Sequence, residues 1–130
     1  MPLVRIDLSS QHAEGFAQQV GEVVYQAMRE HINVPEDDKF QVITRHDRAD
    51  LVTPKSYLGI EYSDGIIFIQ ITLNEGRSTE LKKKFYRAIC DGLVEKLKVR
   101  PQDVWINLVE VHKENWSFGN GEMQYGPKPG

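Results

Sequence analysis

The sequence predicts an α+β fold in which two tandem β-α-β units, roughly 1–65 and 66–130, form one four-stranded mixed sheet with both helices on a single face. Three observations predict it. Pro2, Val4, Ile6 and Leu8 are apolar, with Arg5 and Asp7 between them; this is the alternation of a strand with one face against a core. Two longer stretches repeat apolar residues at helical spacing, and each is followed by a strand-like run. The chain also matches itself at an offset of 65 residues: Val4, Ile6 and Leu8 fall on Ile69, Ile71 and Leu73, Val20, Val24, Met28 and Ile32 on Phe85, Ile89, Leu93 and Leu97, Val34 on Val99, Asp38 on Asp103, and Phe40 on Trp105. Two β-α-β units in matching register can share one sheet.

The elements follow in order. After the first strand, Ser9-Ser10 is the candidate N-cap of a helix spanning about 11–32, although no Glu completes a capping box. Phe16, Val20, Val23, Val24, Ala27, Met28 and Ile32 make its apolar face, and Gln18, Gln19, Glu22, Gln26 and Arg29 its polar one. It should stop before Pro35, with Asn33 suited to a left-handed C-terminal residue. A polar turn, Val34-Pro35-Glu36-Asp37-Asp38-Lys39, leads to a strand from Phe40 to about Arg45. Residues 46–56 read as an irregular excursion, 57–62 as one short strand, and Ser63-Asp64-Gly65 as a turn.

Residues 66–73 form the most apolar strand, expected at the centre of the sheet. The loop Asn74-Glu75-Gly76-Arg77 precedes Ser78, a good N-cap, and a helix with Leu81, Phe85, Ala88, Ile89, Gly92, Leu93 and Leu97 on one face. Pro101 closes that segment, 104–111 is the last strand, and 115–130 is a tail rich in glycine and aromatics. With both helices on one side, the other sheet face has no cover within the chain. A half-apolar bare face points to further copies of the same subunit.

At 130 residues the chain suits one domain, 1–130. Its longest apolar run, near 66–73, is far too short to span a bilayer, and no signal-like segment stands at the N-terminus. A net charge of −3 argues against a nucleic-acid surface but leaves room for a small anionic substrate held by one or two local arginines. The single cysteine, Cys90, excludes an internal disulfide and suits a reducing cytoplasm. His12, His31, His46 and His112 show no metal-ligand spacing, and there is no phosphate-binding glycine loop or nucleophile elbow. Cys90 reads as packing, and Lys82-Lys83-Lys84 as a solvated helix face.

The terminus is the most reactive prospect. Once Met1 is removed, Pro2 presents a secondary amine that can take up a proton, return it, or form an iminium with a carbonyl. A free α-amine titrates at about 7.7–8.0, so modest burial or a nearby cation suffices to leave it neutral and basic. With Met1 retained, Pro2 is an amide and inert, and then it is only a strand-starting residue.

Pro2 on a strand, the turn from Val34 to Gln41, the segment Lys84-Phe85-Tyr86 and above all Asn115-Trp116-Ser117-Phe118-Gly119 together resemble the tautomerase superfamily, nearest its malonate semialdehyde decarboxylase-like branch. The similarity covers nearly the whole chain. It implies a cofactor-independent homotrimer with three active sites near subunit boundaries. Carried onto this sequence, Pro2 is the acid or base, Asp38 activates water or assists decarboxylation, Arg77 holds the substrate carboxylate, and Trp116 and Phe118 wall the pocket. That branch has two arginines in the loop after the central strand. Here only Arg77 remains, and Glu75 stands at the first position, which should weaken carboxylate binding and alter the field at Pro2.

The expected activity is keto-enol tautomerisation, or decarboxylation or hydration, of a small 2-oxo, 3-oxo or unsaturated carboxylate. The alternative is a non-catalytic oligomeric binding protein on the same scaffold. Glu75 is a further candidate at the substrate, as a second acid, or else a solvated side chain. Asp38 and Arg77 also have plain readings, as a turn acid and a surface cation, and Trp116 and Phe118 as packing aromatics.

Overall fold

The computed structural model describes residues 2–127; Met1, on whose removal the chemistry of Pro2 depends, and 128–130 of the tail lie outside the described residues. The main sheet is built from β1 (Leu3–Ser9), β2 (Phe40–His46), β5 (Ile67–Asn74) and β6 (Val104–Val111) in the order β2-β1-β5-β6, with β3 (Ser56–Tyr57) and β4 (Ile60–Glu61) forming a separate hairpin. β1 runs parallel to β2 and antiparallel to β5, and β5 runs parallel to β6. The expected four-stranded mixed sheet is therefore present, with the 66–73 run at its centre.

The 65-residue offset extends to the hydrogen-bond register. Leu3 pairs with Phe40 and Ile6 with Ile43; Phe68 pairs with Trp105 and Ile71 with Leu108. α1 (Phe16–His31) and α2 (Thr79–Leu97) both lie on the face carrying Val4, Ile6, Leu8, Ile67, Ile69, Ile71 and Leu73, all at most 1% exposed. From the helices, Val20, Val24, Met28, Phe85, Ile89 and Leu93 complete that core. Each such side chain, fully buried, contributes about 1.5–3 kcal/mol relative to exposure. The helices approach closely at Gly92, where an added Cβ would stand 2.8 Å from Val23 Cγ1.

Two boundaries differ from expectation. α1 begins at Phe16 rather than near 11, because Gly15 adopts φ 83° and residues 10–14 form a turn. Ser9 does not cap the helix; its hydroxyl accepts from the Gln11 N–H at 3.1 Å. The single strand expected over 57–62 is instead β3 and β4, folded back at Leu58 and Gly59, both with positive φ. Asn33, in contrast, does take the left-handed conformation after α1, and the Ser78 hydroxyl does cap α2 by accepting from the Leu81 N–H.

The other sheet face carries Val42, Trp105 and Val109, each between 37% and 41% exposed, among Arg5, Gln70 and other polar side chains. No helix among the described residues is long and apolar enough to cross a membrane.

Candidate functional site

Strand register brings the predicted residues to one end of the sheet. Pro2 is buried and immediately precedes Leu3, which lies between Phe40 of β2 and Thr72 of β5. On one side of Pro2 is therefore the turn through Asp38 that enters β2. On the other is the end of β5, where Asn74 leads into the loop carrying Glu75 and Arg77. Asn74 pairs with Val111, so the segment leaving β6 towards Trp116 starts from the same end.

The Asp38 turn is fixed from α1. The Asp38 N–H donates to the Pro35 carbonyl at 3.2 Å, and the Asp37 N–H donates to the Tyr25 hydroxyl at 3.2 Å. Lys39 lies over the Tyr25 ring, 5.0 Å from its centroid, and donates to Glu22 at 2.7 Å. Tyr25 itself is 7% exposed, so the turn is held against a buried part of the helix.

Arg77 is half-buried. Its Nη1 donates to the Asn74 carbonyl at 2.9 Å and its Nη2 to the carbonyl of Ile32, at the end of α1, at 3.4 Å. Two guanidinium donors are thereby used to place the group, and the planar fork keeps others for a ligand. It stands just before the capped N-terminus of α2, where the helix dipole also favours an anion.

The aromatic wall is larger than the sequence reading proposed. Trp116 stacks with Phe118 (centroids 5.5 Å, interplanar angle 18°), and Tyr125 meets Phe118 edge-on (5.0 Å, 77°). The Trp116 indole N–H donates to Asn74 Oδ1 at 2.7 Å. Phe118, Tyr125 and Phe40 line a hollow of about 350 Å³ with Glu36, Asp37 and Asp38. Burial, and secondarily the Asp38 carboxylate, push the Tyr125 hydroxyl above the usual phenol range.

Of the predicted residues, Asp38 and Phe118 line this hollow directly, Trp116 stacks on Phe118, and Arg77 is joined to Trp116 through Asn74. Glu75 turns elsewhere: its Oε1 lies 2.7 Å from His112 Nδ1, with both side chains more than half exposed. Tyr125, Phe40 and Asn74 were missed. A third aromatic within ten residues of Trp116 was a usable signal for Tyr125; Asn74 offered none, because its importance lies in what folds against it.

Other candidate chemistry is weaker. Burial pushes the Cys90 thiol up, away from the reactive thiolate. Among the described residues, no group of three or more His, Cys, Asp or Glu is placed to hold a metal ion.

Comparison with known proteins adds to this geometry. A family described as "Tautomerase enzyme" matches residues 38–119. The chain is 43% identical over 124 residues to the probable tautomerase YusQ of Bacillus subtilis (strain 168), covering 95% of this chain and 98% of that one. Its fold superposes on a FG41 malonate semialdehyde decarboxylase inhibited by 3-bromopropiolate with a TM-score of 0.88 at 32% identity, covering 95% of this chain and 93% of that one. At 16% identity, a fused 4-OT solved as a symmetric trimer shares the fold alone, with a TM-score of 0.73 over 92% of this chain and 95% of that one.

Proposed function

Because this chain belongs to the tautomerase family of enzymes, we propose that it moves protons on small 2-oxo, 3-oxo or unsaturated carboxylates, with the Pro2 nitrogen as acid or base. The observation that carries the reading is the convergence, at one sheet end, of buried Pro2, the Asp38 turn and the anchored Arg77.

In the tautomerase direction, neutral Pro2 nitrogen takes the enol hydroxyl proton, electrons shift to make the carbonyl, and the proton is delivered to carbon. Nothing is oxidised or reduced. Arg77 pairs with the substrate carboxylate, and a charge-assisted, forked contact fixes its orientation as well as its position. Trp116, Phe118 and Tyr125 give one side of the site an apolar aromatic lining, which lowers the local dielectric and strengthens each of these charge interactions.

Decarboxylation or hydration is the second chemistry of the same site, favoured by the likeness to the malonate semialdehyde decarboxylase. Protonated Pro2 would then donate to the carbonyl oxygen of a 3-oxo acid. As the C–C bond to the carboxylate breaks, the electron pair passes into the enol and carbon dioxide leaves. Asp38 would orient water for the hydration branch. Glu75 in place of the first of that branch's two arginines leaves Arg77 alone to hold the carboxylate, a departure from the decarboxylase pattern that counts against decarboxylation.

The assembly belongs to the same reading: a homotrimer, supported by the exposed Val42, Trp105 and Val109 on the uncovered sheet face and by the trimeric fused 4-OT. All of this requires Met1 to be removed, and intact-mass measurement of untagged protein reads that directly. The activity test follows the enol form of phenylpyruvate by absorbance with wild type and Pro2→Ala. A fall of about 10²- to 10⁴-fold is expected for loss of a general acid-base group. Equal rates would refute catalysis by the terminus and leave a binding protein on this scaffold.

A further inference from the structure

We infer that Asn74 is a positioning residue that holds the aromatic wall in register with the carboxylate-binding arginine; this rests on the proposed function of the same site. Asn74 is the last residue of β5, paired with Val111, so its backbone is set by the central ladder of the sheet. Its carbonyl accepts from Arg77 Nη1 at 2.9 Å and its side-chain Oδ1 accepts from the Trp116 indole N–H at 2.7 Å. One residue therefore faces the cation with its main chain and the wall with its side chain.

The chemistry demands an acceptor at this position. An indole N–H is a donor only, and Trp116 is half-buried, so an apolar side chain opposite it would leave that donor without its partner. The contact links the segment 116–127 to the central sheet. Its hydrogen bonds from the Phe118 N–H to Gln124 Oε1 and from Gln124 Nε2 to the Gly119 carbonyl are internal to it, whereas Trp116 to Asn74 joins it to the sheet. Phe118 and Tyr125 are stacked outward from Trp116 in turn. The Asn74 contact therefore ties the inner end of the wall to β5, while Phe118 and Tyr125 lie against Phe40 and the Asp38 turn further out. Releasing Trp116 lets its distance from Arg77 vary while Arg77 keeps its own backbone anchors.

The consequence is a split that a general loss of stability would not produce. Asn74→Ala should raise KM for an enol with an aromatic tail by about tenfold, the scale of one lost hydrogen bond, while leaving KM for a small enol without that tail and the urea midpoint nearly unchanged. In a Trp105→Phe background, where Trp116 is the only tryptophan, Asn74→Ala should shift the emission to the red and increase acrylamide quenching. Asn74→Asp, which keeps an acceptor oxygen, should restore the emission. Once Trp116→Phe has removed the indole N–H, adding Asn74→Ala should cost nothing further. Unchanged emission in Asn74→Ala, or equal KM changes for both substrates, would overturn the inference. Should wild type turn over neither substrate, the proposed function fails, and the fluorescence arm still decides whether Asn74 holds Trp116.

Discussion

Asp38 and Asp103 stand at the same place in the two halves of the chain, just before the edge strands β2 and β6, yet their surroundings have diverged. Asp103 is 2% exposed and accepts from the Ser63 N–H at 2.8 Å, from the Ser63 hydroxyl and from Arg100 Nη1 at 3.1 Å. Asp38 is half-buried and opens onto the hollow shared with Phe118 and Tyr125. The same residue type at the same register has become a clamp at one end of the sheet and a candidate reactive group at the other.

Substitution at the two positions should therefore separate stability from activity. Asp103→Ala strands the Ser63 and Arg100 donors and should cost about 1–3 kcal/mol, read as a lower urea midpoint with little loss of rate per folded molecule. Asp38→Asn should lower the hydration or decarboxylation rate and leave the midpoint close to wild type. A reversed pattern would mean that the roles had been assigned to the wrong aspartate.

Arg77→Ala removes the cation proposed to hold the carboxylate. A hydrogen bond to a charged group is worth about 1.5–3 kcal/mol, so KM should rise about 10- to 100-fold. Arg77→Lys keeps the charge but loses the forked geometry and should fall between the two. Steady-state kinetics with a carboxylate substrate and its methyl ester check the assignment, because the ester should be insensitive to both changes.

Blocking the terminus should act like Pro2→Ala. A variant with residues added ahead of Pro2 turns its nitrogen into an amide, and activity should fall at least as far while the circular dichroism spectrum stays unchanged. Full activity in a protein shown by mass to be extended would rule out the imino nitrogen.

His12 predicts a pH-dependent stability away from the site. Its ring stacks on Phe16 with centroids 4.4 Å apart, and burial lowers its pKa despite the opposing influence of the Gly65 backbone and Asp103. The unfolded chain then binds the proton more readily than the folded one, so stability rises with pH through this range. The contribution is complete above the unfolded value of about 6.5 and is lost as pH falls below it towards the lowered folded value. Urea midpoints should drop between pH 7.5 and 5.5, and His12→Gln should flatten that drop. An unaltered slope in the variant would assign the effect to another group.

Much of this architecture was legible because it is written in periodicity. Alternation at Val4, Ile6 and Leu8, helical spacing from Val20 to Met28 and from Phe85 to Leu93, and the 65-residue offset together specify strands, helices and register, since burial of one face imposes those periods. Local backbone conformation was less legible: Gly15 delayed α1, and Leu58 with Gly59 folded 57–62 into a hairpin. There, one or two residues with positive φ outweigh a propensity spread over many.

The site divides in the same way. Sequence by itself determined which groups are candidates for the chemistry, namely Pro2, Asp38, Arg77 and the Trp116 and Phe118 pair, because those residue types at those places resemble a known family. Tertiary structure alone decided that Glu75 turns to His112, that Tyr125 joins the wall, and that Asn74 bridges Arg77 to Trp116. Those are contacts between segments up to 42 residues apart, and a hydrogen bond across such a separation leaves no period in the sequence: it exists only once the strands have brought its two ends together.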